Sequence, residues 1–432
     1  MKQLALLGGE KAVTIPYKEV GCYPLCSPKG IADAVALMEK GEISQSQSVL
    51  DFEKRFAAYM GANYAVATNN GTSALDTALF AVGLQAGDEV IVPSFTFWAT
   101  MAPILSQQMV PVFCDVDKDT HCVDPVDIEK KITPKTRAIM LVHVWGGACD
   151  MDAIMKIAKK YDLKVIEDCS HAHGTLYHGK HVGVIGDVGC YSLQGSKMLP
   201  AGEGGILITN SRECFERSLA FGHYDRLAAL PEGSKYRSYM LTGLGHKYRP
   251  HPVAIALANS ALDTLDERNE VRNRNALKLE EMISDLDWVI PVKKYEGVER
   301  QFAYHYMRFD EAKLGGIRTL TMVKALGNEG VSCGYCGYGR LHKSPYVMEG
   351  GAWGNCGKRD TPVSLPVTEF LAEHAFLGAP RFERSCDELI EQYAQAYHKV
   401  GEHLEELIEY DRKHDFTQEM KNFSGRTIAM MK

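Results

Sequence analysis

The 432-residue chain has no long apolar run and no excess of positive charge. None of its apolar stretches approaches the roughly 18 residues that span a bilayer. The N-terminal MKQLALLGGEKAV meets two glycines and a glutamate before a signal-peptide core forms. Its 48 lysines and arginines stand against 55 aspartates and glutamates, and the formal net charge of −7 argues against a nucleic-acid surface. We therefore expect a cytoplasmic protein that acts on a small molecule, with neither membrane nor nucleic acid as partner.

Cysteine is too sparse for a disulfide scaffold, with twelve in the whole chain. Cys114, Cys169 and Cys190 lie inside apolar strand patterns, where a thiol acts as a small hydrophobic group. Cys333 and Cys336 have a C-x-x-C spacing but lack the second pair of ligands that a structural zinc site requires. We read that pair as part of a glycine-rich loop and expect no metal site.

The hydrophobic pattern predicts an α/β fold with a largely parallel sheet covered by helices on both faces. An irregular arm at 1–30, with Pro16, Pro24 and Pro28, precedes a large domain at 31–268 and a smaller α+β domain at 269–432. The predicted strands are 64–68, 89–93, 110–115, 137–144, 164–168 and later 301–309, and the predicted helices are 29–40, 50–60, 72–82, 97–106, 126–132, 151–161, 319–328 and 383–410. Ligands on such sheets bind beyond the carboxyl ends of the strands, so strand-end residues are the candidates for a site.

One lysine lies in a turn between two apolar strands, in CYSLQGSKMLPAGEGGILITN. Burial disfavours the ammonium form, so Lys197 either pairs with a carboxylate or serves as an amine nucleophile. The glycines 202, 204 and 205 would let backbone pass close to a molecule held by this lysine. The alternative is a turn lysine that faces water.

An anion site is predicted where the first strand ends in TNNGTSAL. Gly71, Thr72 and Ser73 open a helix, and the free N–H groups of a helix N-terminus with two hydroxyls suit a phosphate. An ordinary N-capped helix without a ligand explains the same residues. The chain has neither G-x-x-x-x-G-K-[ST] nor G-x-G-x-x-G, so a P-loop or a usual dinucleotide site is not indicated.

Aromatic side chains follow the second strand, in PSFTFWAT. Of Phe95, Phe97 and Trp98 we expect one to lie flat on an aromatic ligand and two to fill the core.

A carboxylate ends the strand of KVIEDCSHAHG. Buried at a strand end, Asp168 needs a cationic or hydrogen-bonding partner, and a protonated ring nitrogen would serve. His171 and His173 follow it; a histidine satisfied by the backbone is an equal alternative for His173.

These four sites fit one ligand, pyridoxal 5′-phosphate, which needs a phosphate anchor, a flat aromatic, an anion for its ring nitrogen and a lysine for the Schiff base. Their joint occurrence is far more specific than any single site.

The chain also resembles a family, the DegT/StrS sugar aminotransferases of the aspartate-aminotransferase fold (fold type I). The resemblance rests on NNGTSAL, PSFTFWATMAPILSQQMVPVFCDVD, VIEDCSHAHG and SLQGSKMLPAGEGG, and covers about residues 5–375. It implies that Lys197 carries the cofactor, that Asp168 pairs with the ring nitrogen and that His171 lies near the phenolic oxygen. It further implies that Phe97 stacks on the ring and that the phosphate is held by Gly71, Thr72, Ser73 and Ser192.

Family members are homodimers in which the neighbouring subunit completes each site, and the matching segment here is GLGHKYRPHPVAIAL. Lys247 stands where the commonest pattern has asparagine, and a cation there could still reach the phosphate. The RPHP residues and SLQGSK look more like the branch of glutamine:scyllo-inosose aminotransferases and 3-amino-5-hydroxybenzoate synthases.

The resemblance implies a pyridoxal-phosphate aminotransferase that moves an amino group from glutamine or glutamate to a keto-cyclitol or keto-sugar such as scyllo-inosose. The alternatives are a 3-amino-5-hydroxybenzoate synthase-like enzyme, a 4-keto-6-deoxysugar aminotransferase and a non-catalytic regulator that binds an amino sugar. A dehydratase of this family would have histidine in place of Lys197. His342, in the C-terminal part, is expected near the substrate or in a surface loop, and no pattern is readable after Phe416.

Overall fold

A computed structural model describes residues 3–22, 26–310, 312–352 and 354–414. Pro24 of the arm and the tail after Phe416, both considered above, lie outside these ranges.

The helices are α1 Tyr17–Val20, α2 Pro28–Glu39, α3 Gln47–Met60, α4 Gly71–Ala81, α5 Trp98–Ser106, α6 Pro125–Lys131, α7 Met151–Tyr161, α8 Arg212–Gly222, α9 Pro252–Leu262, α10 Leu265–Met282, α11 Thr319–Asn328, α12 Pro345–Met348, α13 Pro366–His374, α14 Asp387–Gly401 and α15 Leu404–Lys413. The strands are β1 Tyr64–Thr68, β2 Glu89–Pro93, β3 Val110–Cys114, β4 Thr136–Val142, β5 Lys164–Asp168, β6 Leu176–Tyr177, β7 Lys180–His181, β8 Val188–Ser192, β9 Gly205–Thr209, β10 Val289–Pro291, β11 Val298–Glu299, β12 His305–Phe309, β13 Gly334–Tyr335 and β14 Ala375–Ala379.

Polar N-cap side chains begin several of these helices. Ser27, Ser46, Asp124, Asp150 and Ser211 each accept a hydrogen bond from a backbone N–H of the first turn. Such a bond satisfies a donor that has no acceptor within the helix. The helix starts therefore follow from local sequence.

A seven-stranded sheet runs in the order β1-β9-β8-β5-β4-β2-β3. The five strands from β8 to β3 are parallel to their neighbours, whereas β9 is antiparallel to both β1 and β8. The predicted, largely parallel sheet is confirmed, with an antiparallel edge at β1 and β9. The carboxyl ends of β2, β4, β5 and β8 consequently meet at one edge.

Helices cover both faces of this sheet. Alternate residues of one strand belong to different hydrophobic clusters: Ile91 packs with Phe52 of α3 and Ile154 of α7, whereas Val92 packs with Leu75 of α4. Because successive strand side chains point to opposite faces, a strand buried on both sides must be apolar throughout. The near-continuous apolar runs of the sequence have this cause.

A second, four-stranded antiparallel sheet has the order β10-β12-β14-β13 and lies in the C-terminal part. Its core contains Trp288, Phe309, Phe376 and Tyr397. A small third sheet, β11-β6-β7, pairs a strand of the C-terminal part with the hairpin that follows β5. The predicted domain boundary between 268 and 269 falls inside the continuous helix α10 and stays a prediction.

The N-terminal arm lies on the C-terminal part of the same chain. The buried carboxylate of Glu329 accepts hydrogen bonds from the backbone N–H groups of Ala5 and Ala12, at 2.8 and 2.9 Å. Leu4 and Val13 pack into the core of the four-stranded sheet. The arm is therefore held both by buried apolar side chains and by hydrogen bonds to a carboxylate.

Two predicted elements differ from those observed. The strand expected at 301–309 begins only at His305. The single helix expected at 383–410 is instead α14 and α15, which are separated at residues 402 and 403. Where α14 ends, the indole nitrogen of Trp288 lies 2.8 Å from the position that a Cβ on Gly401 would occupy, so the absent side chain leaves room for the ring.

Within the described ranges, every helix is either too short or too polar to cross a membrane.

Candidate active site

Lys197 lies in the loop between β8 and β9, half-buried, with Nζ 5.7 Å from the centre of the Tyr304 ring. The pKa of the Tyr304 hydroxyl is lowered: burial raises it, but the positive charges of Lys197 and Arg381 together with hydrogen bonds from Ser196 and Lys197 outweigh burial. The amine therefore faces an aromatic wall of the cleft. This geometry disfavours the alternative of a turn lysine in open water.

Asp168 ends β5 and is 4% exposed. Its Oδ2 accepts from the hydroxyl of Thr100 at 2.8 Å and its Oδ1 from the backbone N–H of Ser170 at 3.0 Å. No lysine, arginine or histidine of the described ranges forms an ion pair with it. A buried carboxylate without a protein cation suits a positively charged ligand atom, and no ion pair within the described residues accounts for this one.

Glu167, its neighbour on β5, is structural. Its two carboxylate oxygens accept from Nε2 of His143 at 2.9 Å and from three backbone N–H groups of the loop that precedes β8. Together with Cys169 these side chains form a compact group of metal-binding type within the described residues. Because four donors already occupy the carboxylate, it stabilises the loop without an ion.

The predicted anion site has a cradle of backbone and hydroxyl groups. Asn70 caps α4, and its side chain accepts only the N–H of Ser73, at 2.8 Å, so the first amides of the helix have no intrahelical acceptor. A Cβ on Gly71 would lie 2.8 Å from Cβ of Ser192, which places the end of β8 directly against the start of α4. Gly71, Thr72, Ser73 and Ser192 are thus brought together, as a phosphate requires.

The glycines beyond Lys197 act differently from our expectation. A Cβ on Gly205 would lie 2.3 Å from the carbonyl oxygen of Asn70, and one on Gly204 would contact Leu193 and Ala201. Gly202 has φ +86°, a left-handed conformation that favours glycine. They make room for neighbouring chain and for a turn rather than for a molecule held by the lysine.

Of the three aromatics after β2, only Phe95 is in the core, edge-on to Trp145 and Tyr338. Phe97 and Trp98 are 41% and 51% exposed. The expectation that two of the three are buried is wrong, because α5 begins at Trp98 and both rings project from its first turn. Phe97 remains available to a planar ligand, and its stacking role stays a prediction.

His171 is buried within an aromatic stack that the sequence did not indicate. Its Nδ1 accepts from the backbone N–H of Trp145 at 3.4 Å, and its Nε2 lies 3.2 Å from the hydroxyl of Tyr338. Trp145 stacks on His171 and has φ 58°, a left-handed conformation unusual for such a bulky residue. Burial, the charge of Lys197 and the neighbouring His173 hold the pKa of His171 well below its usual value. The ring is therefore neutral, with the proton on Nε2.

Two further histidines were candidates. His173 is buried edge-on to Tyr191, and burial with the charge of Lys197 lowers its pKa to about 3. His342 is fully buried, with Nδ1 2.7 Å from the hydroxyl of Ser94 and Nε2 3.4 Å from Glu369. It is not a surface-loop residue, and its proximity to substrate stays a prediction.

Lys247 is exposed in the loop before α9. The carbonyl of the next residue, Tyr248, accepts from the backbone N–H of Asn69 at 2.8 Å, which brings the loop to the phosphate cradle of its own chain.

Pyridoxal phosphate fits these residues. The cradle at the start of α4 offers N–H and hydroxyl donors to a phosphate, the uncompensated carboxylate of Asp168 suits a protonated ring nitrogen, and Lys197 supplies the amine. The seven-stranded sheet and this set of groups define a fold type I, pyridoxal-phosphate-dependent enzyme, as the comparisons below confirm.

The family model and several relatives indicate an aminotransferase. The DegT/DnrJ/EryC1/StrS aminotransferase family model matches residues 27–371, and the chain belongs to this family. An L-glutamine:2-deoxy-scyllo-inosose aminotransferase of Streptomyces paromomycinus is 34% identical over 340 residues, 76% of this chain and 79% of that protein. The spore coat polysaccharide biosynthesis protein SpsC of Bacillus subtilis is 34% identical over 335 residues, 76% of this chain and 84% of that protein. The crystal structure of 3-amino-5-hydroxybenzoic acid synthase superposes with a TM-score of 0.77 and 26% identity, covering 91% of this chain and 99% of that chain.

The chain is therefore a pyridoxal-phosphate-dependent aminotransferase.

Proposed function

We propose that this enzyme transfers the amino group of glutamine or glutamate to the ketone of a keto-cyclitol of the scyllo-inosose type. The observation that carries the chemistry is the buried Asp168 carboxylate, which lacks a protein cation and ends β5 at the same edge of the sheet from which the loop of Lys197 follows β8. The similarity to glutamine:2-deoxy-scyllo-inosose aminotransferases supports the substrate.

Each candidate residue has a defined task in this proposal. When bound, pyridoxal phosphate supplies an electron sink for the carbon that loses or gains the proton. Asp168 would hold the proton on the ring nitrogen, and Lys197, once its nitrogen is free, would move a proton between the substrate carbon and the cofactor carbon. The orientation of the neutral His171 is held by Trp145 at Nδ1 and by Tyr338 at Nε2, and its place near the phenolic oxygen is the one that the family resemblance implies.

A second substrate class, the ketones of aminoshikimate type, is supported by the similarity to 3-amino-5-hydroxybenzoic acid synthase, at the lower identity of 26%. The two classes differ in charge, because aminoshikimate-type substrates carry a carboxylate and scyllo-inosose does not.

An assay series tests the function. The purified holoenzyme should show a visible absorbance band that borohydride abolishes, which a protein lacking the lysine linkage cannot show. Keto-cyclitols, aminoshikimate-type ketones and 4-keto sugars are then offered with glutamine and glutamate as donors. Turnover of the cyclitols above the other ketones supports the proposal, and turnover of only the 4-keto sugars overturns it.

We also propose a homodimer with shared sites, supported by exposed apolar side chains. Ile31, Val35 and Met38 form a stripe on α2, at 52%, 41% and 52% exposure, and Leu241, in the loop before Lys247, is 88% exposed. An apolar stripe along a helix is typical of an interface. The proposed smaller C-terminal domain would close over each site.

Lys247 has two possible placements, one implied by the family resemblance and one by the geometry of this chain. The family resemblance favours the phosphate of the partner's site, whereas the bond between Tyr248 and Asn69 brings the loop to its own cradle. Mixing two inactive variants, Lys197→Ala and Lys247→Glu, under conditions of subunit exchange distinguishes them.

If Lys247 serves the partner's site, a mixed dimer has one site damaged twice and one intact, so activity partly returns. If it serves its own site, every site carries one lesion and mixing restores nothing although mass spectrometry shows exchange. Lys180→Glu, at an exposed lysine of β7, is the control for added negative charge and should stay active.

A further inference from the structure

Both ring nitrogens of His171 are engaged within the protein. Nδ1 accepts a hydrogen bond from the backbone N–H of Trp145 at 3.4 Å, and Nε2 lies 3.2 Å from the hydroxyl oxygen of Tyr338. Burial, together with the positive charge of Lys197, holds the pKa of His171 well below its usual value, so the ring is neutral. A neutral imidazole that accepts at Nδ1 carries its single N–H on Nε2. The N–H of His171 is therefore donated to Tyr338.

The hydroxyl of Tyr338 has a proton that the protein does not use. A phenol oxygen can accept one hydrogen bond and donate another, and this oxygen accepts from His171. Among the described residues, none accepts the hydroxyl proton in return. The pKa of Tyr338 lies well above its usual value, so the proton stays on at neutral pH. Burial is the first cause, followed by neighbouring groups that repel a phenolate, which are Tyr304, Tyr306, Asp168 and Cys336.

Aromatic packing fixes the position of the Tyr338 ring. The ring stacks on Trp145 with the centroids 4.7 Å apart and the planes at 18°, and Phe95 meets it edge-on at 5.7 Å. The other stacked neighbour of Trp145, Tyr306, lies at a centroid distance of 3.6 Å. These contacts involve the ring and not its hydroxyl. The donor is thus held in place before any ligand arrives, which is the condition under which a hydrogen bond to a developing or fixed negative charge is most effective.

The unused proton lies next to the proposed cofactor contacts. The charge of Asp168 acts on Tyr338, and the family resemblance puts His171 near the phenolic oxygen of the cofactor. Because Nε2 of His171 and the hydroxyl of Tyr338 are 3.2 Å apart, a ligand oxygen that approaches one of them meets the other. Of the two groups, only the hydroxyl still has a proton to donate.

We propose that Tyr338 donates the hydrogen bond to the phenolic oxygen of pyridoxal phosphate, and that His171 is the positioning residue that orients the Tyr338 hydroxyl. The inference rests on the proposed cofactor site and is independent of which ketone the enzyme accepts. A donor stabilises a phenolate most when the phenolate shares no other proton. That state is reached when the Schiff-base nitrogen at Lys197 has lost its proton. The bond from Tyr338 therefore lowers the pH at which this nitrogen loses its proton.

A pH titration of the visible band of the full-length holoenzyme, without substrate, tests the assignment. Tyr338→Phe keeps the stacked ring and removes the donor, so the midpoint of the titration should rise by about one pH unit or more. If His171 were the donor instead, Tyr338→Phe would release its Nε2–H to the phenolic oxygen, and the midpoint would stay or fall. The two assignments therefore predict different signs.

Two further variants make the result specific. His171→Leu removes the anchor of Tyr338 but leaves its hydroxyl and its ring stack, so the midpoint should rise clearly less than in Tyr338→Phe. Tyr335→Phe, on β13, removes a hydroxyl that donates to the carbonyl of Glu373 at 2.9 Å and should leave the midpoint unchanged. Melting of the cofactor-free proteins checks the fold. If Tyr338→Phe does not fold, the midpoint of His171→Leu decides alone, because a rise of a full pH unit would make His171 the donor.

The outcomes separate this inference from the proposed site. An unchanged or lower midpoint in Tyr338→Phe overturns the role of Tyr338, and so does a rise in His171→Leu that equals or exceeds it. Either result leaves the lysine linkage standing as long as borohydride abolishes the wild-type band. If wild type shows no such band, the proposed linkage at Lys197 fails and the role of Tyr338 falls with it.

Discussion

The buried histidine at the end of α8 should make this enzyme sensitive to mild acid. His223 is 2% exposed, and burial lowers its pKa to about 3, with the charges of Arg226 and Arg249 in the same direction and that of Asp225 opposed. The folded protein therefore keeps this ring neutral at pH 7 and at pH 5. Substitution to leucine, His223→Leu, removes the titrating group and leaves an apolar side chain in its place.

The sign and size follow from proton linkage. In the unfolded chain the pKa of histidine is about 6.5, so between pH 7 and pH 5 the unfolded state binds nearly one proton that the folded state does not. Stability from this residue is fully present above about pH 6.5 and is lost as pH falls toward the folded pKa of about 3. Integration from pH 7 to pH 5 gives a loss of about 2 kcal/mol for this single histidine.

Urea unfolding at pH 7 and pH 5 measures the effect, with cofactor and protein concentration held constant. The drop in unfolding free energy between the two pH values should be about 2 kcal/mol smaller in His223→Leu than in wild type. The effects of the substitution on packing are the same at both pH values, so they cancel when the two unfolding free energies of one protein are subtracted. His178→Asn, at an exposed histidine whose left-handed backbone asparagine tolerates, should keep the wild-type pH dependence. Equal pH dependence in His223→Leu and wild type would refute the reasoning.

Three further substitutions test the site and the core. Lys197→Ala should reduce transamination to below roughly a hundredth of wild type with the melting temperature retained, because no other amine replaces the Schiff-base nitrogen; higher residual turnover would refute the role. Asp168→Asn keeps the shape of the side chain and removes its charge, so cofactor should still bind while single turnovers slow by several orders of magnitude; near-normal rates would show that the ring nitrogen is served elsewhere. Arg226 donates hydrogen bonds of 2.8 and 2.9 Å to the carboxylate of the buried Glu53, so Arg226→Met leaves that carboxylate without its cation. Urea unfolding should show a loss of about 3 kcal/mol, part of which Glu53→Gln in the same chain restores.

The positions of the proposed cofactor residues could be predicted from the sequence because each belongs to a short segment at a strand end. Asp168 ends β5 and Gly71 begins α4, and the carboxyl ends of parallel strands share one edge of the sheet. A local pattern that specifies a strand thereby also specifies where its last residue lies. Lys197 follows β8 at the same edge for the same reason.

The walls of the cleft could not be predicted in this way. Tyr304 lies in an irregular segment before β12, and Tyr338 follows the two-residue strand β13, where neither periodicity nor a turn signal is strong. The backbone N–H of Trp145 reaches His171 because Trp145 has a left-handed φ. From sequence alone, that conformation is expected of glycine or asparagine and not of tryptophan. These contacts depend on tertiary packing rather than on local propensity.

We expect the residues that determine the reaction and those that determine the substrate to come from different parts of the fold. Lys197 and Asp168 come from the edge of the seven-stranded sheet, and the roles proposed for them act on the cofactor, which both half-reactions share. Tyr304 comes from the segment before β12, beside the four-stranded sheet, and the centre of its ring lies 5.7 Å from Nζ of Lys197. The cofactor contacts serve both half-reactions of an aminotransferase, so a group that distinguishes one substrate from another must lie outside those contacts. Substitution in the C-terminal segments can therefore change the substrate while the strand-end residues, and with them the class of reaction, stay the same.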